Sequence, residues 1–150
     1  MDQTLERRSV EDGMVVTGVT SELFHDGWPL VRDHLKRGLA HSYGELNLDD
    51  LYDGIADKRM QLWVAVVEGT GEIVAAMVTE IVNYPRIKVA RLIVVGGSRL
   101  DGWCPFMETI KDWAKSEGCS RVEGLARDGW VRVLKEYGFR KLYNLCGVDI

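Results

Sequence analysis

The sequence predicts an α/β fold of the α+β kind. It reads as a single domain with a mixed, mostly antiparallel central sheet and helices on both faces. Three observations carry this. Strand-like and helix-like segments alternate along 150 residues with no linker, low-complexity tract or long repeat, and a chain of that length holds one substantial core. Two long runs, EIVAAMVTEIVNY and IKVARLIVVGG, are apolar on both faces, as central strands covered from both sides are. The connections within the run of three strands that contains them are too short for helical crossovers, so these strands form an antiparallel meander.

The elements follow in order. Residues 1–12 are polar and are expected to form a flexible N-terminal segment; they are too polar for a signal peptide. MVVTGVT (14–20) is a short β-branched strand. Trp28-Pro29 opens a helix, since proline suits a first turn; Trp28, Val31, Leu35 and Leu39 repeat at helical spacing, with Gly38 and Gly44 marking its end. Asn47 caps a second short helix carrying Leu48, Leu51 and Ile55. The meander comes next, with a tight Thr70-Gly71 turn and a break at Tyr84-Pro85. A helix with Phe106, Met107, Ile110, Trp113 and Ala114 on one face stops at Gly118. CSRVEGLA is a strand, and RDGWVRVLKEYG is a helix with Trp130, Val133, Leu134 and Tyr137 on one face. FRKLYNLCGVDI supplies one or two closing strands. The order is β-α-α-β-β-β-α-β-α-β(-β).

Composition narrows the function classes. Net charge is −4, and neither a basic surplus nor a Lys/Arg run points to nucleic acid or a membrane surface. No apolar run approaches the ~20 residues that cross a bilayer. Cys104, Cys119 and Cys146 are odd in number and widely spaced, so reduced, partly buried thiols in a cytoplasm are expected rather than disulfides or a metal site. His25, His34 and His41 have no ligand spacing.

VVGGSRLDGWCPF (94–106) carries the first candidate site. A turn with paired glycines before a helix suits a phosphate, because glycines admit close backbone approach and a helix N-terminus attracts anions. The Gly97-to-Gly102 spacing matches a nucleotide P-loop, but Trp103 and Cys104 stand where that motif needs Lys and Ser/Thr. Asp-Gly-Trp recurs at 26–28, 101–103 and 128–130, which points to helix starts capped by their own aspartates. Trp103 and Trp130 follow matching turns after consecutive strands. If those strands are parallel neighbours, both indoles reach one sheet edge, where α/β folds bind ligands.

METIKDWAKSEGCSRVEGLA and VLKEYGFRKL resemble the cofactor-binding helix and strand and the last helix of the GNAT N-acetyltransferases, over about residues 10–150. The resemblance implies acetyl-CoA, no metal, and a small-molecule or peptide amine as acceptor. It places Val94, Val95, Gly96, Gly97, Ser98, Arg99, Gly102, Trp103 and Arg127 at the cofactor. The family's phosphate loop, Arg/Gln-x-x-Gly-x-Gly/Ala, falls on Ser98, Asp101 and Trp103, so the loop here is degenerate. The family's tyrosine acid falls on Leu134, with Tyr137 three residues on. Amine acetylation needs a base, and Glu80, in an apolar run, is the candidate, with Tyr137 as acid; a structural alternative pairs Glu80 with Arg91. RMQLWVAV, TEIVNYPR and YGFRK also resemble the small GNAT-like proteins of tailed bacteriophages. That implies a host-cytoplasmic or virion location and, if the chain is not an enzyme, a virion or host protein as partner.

Overall fold

The apolar runs of the meander are buried on both faces because helices cover both. The structure, a computed structural model, describes residues 7–10, 13–98 and 107–150. Its strands are β1 (Arg7–Val10), β2 (Met14–Val19), β3 (Met60–Val67), β4 (Ile73–Asn83), β5 (Lys88–Gly97) and β6 (Arg121–Gly124). They form one sheet in the order β1-β2-β3-β4-β5-β6. All neighbours are antiparallel except β5 and β6, which are parallel. The helices are α1 (Ser21–Leu39), α2 (Leu48–Ala56), α3 (Met107–Ser116) and α4 (Asp128–Leu134), which runs into a 3-10 turn, Lys135–Tyr137.

Phe24, Val31 and Leu35 of α1 and Leu51 and Ile55 of α2 pack on Leu62, Val64, Ala76, Val78 and Val94 on one face of the sheet. Met107, Ile110, Trp113 and Leu134 of α3 and α4 pack on Val16, Trp63, Met77 and Ala90 on the other. Trp63 and Trp113 meet edge to face at 5.2 Å. The buried Trp63 indole donates to Thr79 Oγ1 at 3.0 Å, and that hydroxyl donates to Gln61 Oε1 at 2.8 Å, so the N–H is satisfied inside the core.

Several local expectations hold. Asn47 caps α2 reciprocally with Asp50, each side chain accepting the other's backbone N–H at 2.9 Å. Gly118, at φ +84°, ends α3. Others are corrected. Part of the segment expected to be flexible, Arg7–Val10, is paired to β2 as β1. Helix α1 begins at Ser21, with extended Thr20 as its N-cap residue and Glu22 in its first turn, so Asp26-Gly27-Trp28 and Pro29 lie inside it. Asp128 is the first residue of α4, after the N-cap residue Arg127, and no side chain caps that end. Its charge suits the helix dipole, yet it is no self-cap. Residues 139–150 form no strand. A β-prone run becomes a strand only when its backbone groups find a partner, and this run has none among the described residues.

Gly38 and Gly96 are packing positions. A Cβ on Gly96 would lie 1.8 Å from the carbonyl oxygen of His34, and one on Gly38 would lie 2.5 Å from that of Val95. The helix and the strand therefore touch backbone to backbone. Gly27, in contrast, has nothing within 4 Å of its missing Cβ and sits in a helix interior. Gly96→Ala should lower stability by ~1–3 kcal/mol or more, as overpacking against rigid backbone does. Gly27→Ala should raise it by ~0.5–1 kcal/mol by lowering unfolded-chain entropy. Urea denaturation of both variants checks this; equal effects would refute the assignment of Gly96 as a contact glycine.

Candidate functional site

Between β5 and β6 the sheet opens. Their parallel ladder runs from Val89↔Arg121 to Leu92↔Gly124 and stops, while β5 continues to Gly97. Two features end it. The β4–β5 register shifts so that Val78 faces Val94 and Thr79 faces Leu92, which leaves Ile93 as an extra residue, and a bulge of this kind bends its strand. At Gly124 a Cβ would come within 3.1 Å of Leu92 Cβ, so the last pair of the ladder leaves little room for a side chain there. Residues 125–127 then lead into α4. The edge of β5 from Ile93 to Gly97 that faces away from β4 thus has no strand partner among the described residues. At the C-terminal end of β6 a cavity of about 300 Å³ is lined by Arg127, Gly129, Trp130 and Val133. Trp130 packs on the same core as Leu92, Val95 and Val122.

A charged clasp holds the closed end of this cleft. Arg91 and Glu123 face each other in register, one pair before the ladder stops. Arg91 NH2 donates to Glu123 Oε2 at 2.8 Å and Tyr84 Oη donates to the same oxygen at 2.7 Å. Arg121 Nε donates to Oε1 at 3.1 Å. Arg91 also donates to the Tyr84 hydroxyl. Burial works to raise the Glu123 pKa, but the donors from Tyr84, Arg91 and Arg121 outweigh it and hold the carboxyl below the usual carboxylate range. Donating to Glu123 pushes the Tyr84 phenol up. A carboxylate held by three donors is a poor proton acceptor, so Glu123 is a clasp and not a base.

The expected site residues fall in different places. Glu80 lies on β4, half-buried, with Met60 and Arg91 as its register partners. Met60 belongs to the α1/α2 core, which puts Glu80 on that face. Its carboxylate makes no hydrogen bond or ion pair with a described residue, and the expected pairing with Arg91 is replaced by Arg91–Glu123. Tyr137 lies on the other face, against the α3/α4 core, with its carbonyl accepting from Lys111 Nζ at 2.9 Å. Val94 packs under α1 and Val95 on the opposite core. Gly96 makes room for α1, and Gly97 for β4, where a Cβ would lie 2.5 Å from the Val74 carbonyl oxygen. The Ser98 N–H donates to that carbonyl at 2.9 Å, so it prolongs the β4–β5 pairing. Arg127 lines the cavity. Arg99, Asp101, Gly102, Trp103 and Cys104 lie outside the described residues. Cys119 is half-buried, and burial raises its thiol; Cys146 is exposed, contrary to expectation. Sequence reasoning missed Glu123, Tyr84, Gly129 and Val133. Glu123 next to Gly124 in a strand was the available signal.

The clasp has a pH signature. A carboxylate depressed in the folded state adds stability that is present above its unfolded pKa and lost as pH falls through the lower folded value. Glu123→Gln should therefore cost stability at pH 7, and its deficit against the unsubstituted chain should shrink on acidification through and below the usual carboxylate range. Urea midpoints of both chains across that range check this; a deficit independent of pH would remove Glu123 from the role.

No protein-family model matches the chain, and no curated protein matches it. Solved structures do. A predicted acetyltransferase with acetyl-CoA from Clostridium acetobutylicum is 18% identical, with a TM-score of 0.67 over 91% of this chain and 96% of that one. Glucosamine-6-phosphate N-acetyltransferase from Arabidopsis thaliana is 18% identical, with a TM-score of 0.64 over 91% and 97%. An aminoglycoside acetyltransferase from an uncultured soil metagenomic sample, in complex with sisomicin, is 7% identical, with a TM-score of 0.68 over 93% and 98%. At these identities the likeness is one of fold. The arrangement of the mostly antiparallel sheet and its helices is the GNAT-like fold of these acetyltransferase structures.

Proposed function

We propose that the chain is an N-acyltransferase that takes acyl-CoA as donor and a small amine as acceptor. The single observation that carries this is the early end of the β5–β6 ladder, which leaves the β5 edge from Ile93 to Gly97 without a strand partner among the described residues. An extended, amide-bearing arm can add to such an edge as a strand would. The cavity beside it suits the rest of such a ligand: Trp130 and Val133 offer apolar surface and Arg127 a cation for a phosphate. Acyl-CoA, when bound, supplies the activated thioester.

In this reading the end of the β5–β6 ladder serves as a passage between the two faces of the sheet. Glu80 stands on the α1/α2 face and Tyr137 on the α3/α4 face. In this reading the amine arrives on the first face, where Glu80 takes its proton, and the thiol departs toward the second, with Tyr137 as donor. The resemblance to the family's phosphate loop assigns Arg99, Gly102 and Trp103, which lie outside the described residues, to the phosphates in this reading. Neighbours of like fold named for glucosamine 6-phosphate and for aminoglycosides support a small amine as acceptor.

One observation favours a second reading, a non-catalytic binding module whose partner would be a phage virion or host protein. The position that resembles the family's tyrosine acid holds Leu134, 6% exposed and part of the core. Such a module would leave acyl-CoA untouched.

Thermal denaturation with millimolar acetyl-CoA tests the proposal. At ~100 times its Kd the ligand adds ~2.7 kcal/mol, and Arg127→Glu with Trp130→Ala should raise Kd at least ~10-fold, which is ~1.4 kcal/mol. With an amine panel, release of free CoA thiol should be seen, and Glu80→Gln should slow it ~10²–10⁴-fold. No stabilisation, with calorimetry also silent, would overturn the proposal and select the second reading; binding without turnover would overturn the transfer step.

A further inference from the structure

A row of four side chains crosses the α1/α2 face of the sheet. Met60 on β3 is the register partner of Glu80 on β4, Glu80 of Arg91 on β5, and Arg91 of Glu123 on β6. Ala90 and Leu92, which flank Arg91, pack on the opposite core, so Arg91 shares the face of Glu80. Directly opposite residues of an antiparallel pair have Cβ atoms ~4.5–5.5 Å apart. Arg91 therefore stands between two carboxylates, each one strand away, and its long side chain can reach either.

It takes one of them. Arg91 donates to Glu123 Oε2 from Nε at 3.2 Å and from NH2 at 2.8 Å, and it donates to the Tyr84 hydroxyl as well. Its guanidinium also lies 5.9 Å from the centre of the Tyr84 ring. A guanidinium is a rigid planar fork, so one turned to β6 is turned away from β4. Glu80 is left half-buried, and its carboxylate has no hydrogen-bond or ion-pair partner among the described residues. The other titratable groups around this face are engaged elsewhere or stand further along the row. Beside Met60, Glu45, Asp50, Asp53 and Arg59 line a second cavity, and Arg59 pairs with Asp57 at 3.6 Å. Arg121 sits on Glu123, and His25 of α1 and Tyr52 of α2 bond to each other at 2.5 Å. The residues that α1 and α2 turn to the sheet are apolar.

We propose that Glu123 is a positioning residue, which holds Arg91 toward β6 and so keeps the guanidinium off Glu80, leaving that carboxylate open to an amine proton. The inference rests on the acyl-transfer reading and on Glu80 as its base. A base must offer an oxygen to the ammonium within hydrogen-bond reach. An arginine on that carboxylate would occupy the oxygen, favour the charged form and so weaken the base, and repel an incoming ammonium. The clasp removes all three effects without touching substrate.

Urea denaturation tests the arginine's choice without any turnover. The coupling between Glu80→Gln and Arg91→Met, read from a double-mutant cycle, should become larger and stabilising when Glu123 is replaced by Gln, because Arg91 then turns to Glu80. Release of CoA thiol from acetyl-CoA, with the amine of the panel that gives the fastest release, tests the consequence. Glu123→Gln should slow it at least ~10-fold at the plateau. Because Arg91 then favours the carboxylate, the acid limb of kcat/KM should move down by about one pH unit. Adding Arg91→Met should restore both rate and limb. A coupling no larger in Glu123→Gln overturns the proposal. So does a slower rate with an unmoved limb, or one that Arg91→Met does not restore, since Glu123 would then act on the fold alone. No thiol release from the unsubstituted chain overturns acyl transfer and the role given to Glu80, while the urea cycle still supports or overturns the turning of Arg91. If Glu123→Gln does not fold, Glu123→Asp, which draws the carboxylate back by one methylene, takes its place with smaller changes in the same directions.

Discussion

The backbone contact between α1 and β5 is the constraint on which the rest of the molecule depends. Gly96 and Gly38 allow it, since neither position has room for a side-chain carbon. With the helix pressed onto the strand, His34 Nε2 reaches the Ile73 carbonyl at 3.0 Å at the start of β4. Arg37 donates to the ring's other nitrogen, so Nε2 is the one that carries the proton to that carbonyl. The C-terminal half of β5 is thereby held by α1 from one face and by β4 along one edge. A strand fixed in this way can leave its second edge unpaired without losing its position.

Where that second edge becomes free is decided by two opposed devices. The clasp of Glu123 with Arg91, Tyr84 and Arg121 draws β6 to β5, and charge-assisted bonds at low exposure are the stronger kind. One residue further, Gly124 lets the strands touch, and the extra residue Ile93 turns β5 away. The cleft therefore has a sharp closed end. Its position is set by chemistry on the α1/α2 face, although the cavity at its open end is lined by α4.

Much of the fold was legible because it is governed by local rules. Apolar runs with short connections fix the meander, Asn47 and Gly118 act through neighbouring backbone, and Trp63 and Trp113 are core residues on pattern alone. Less of the site was legible, because its residues choose partners across strands. Arg91 has Glu80 on one side and Glu123 on the other, both in register. Charge pattern cannot rank them; the choice goes to Glu123, where Tyr84 and Arg121 complete the shell around the carboxylate. Gly96 reads as a phosphate glycine in sequence and as a packing glycine in space, since both roles ask for close backbone approach. The end of a parallel ladder leaves no mark in hydrophobic periodicity.

Two stretches of backbone thus have no strand partner among the described residues, the β5 edge from Ile93 to Gly97 and the outer edge of β6. The edge of β5 beyond Leu92 follows the end of the β5–β6 ladder, and the cavity at the end of β6 is lined by Arg127, Gly129, Trp130 and Val133. In the proposed acyl transfer that edge takes an extended arm, with Arg127 and Trp130 as the arm's charged and aromatic contacts. The outer edge of β6 is bounded on one side only. Its ladder to β5 and the clasp at Glu123 fix β6 to the sheet along that one side.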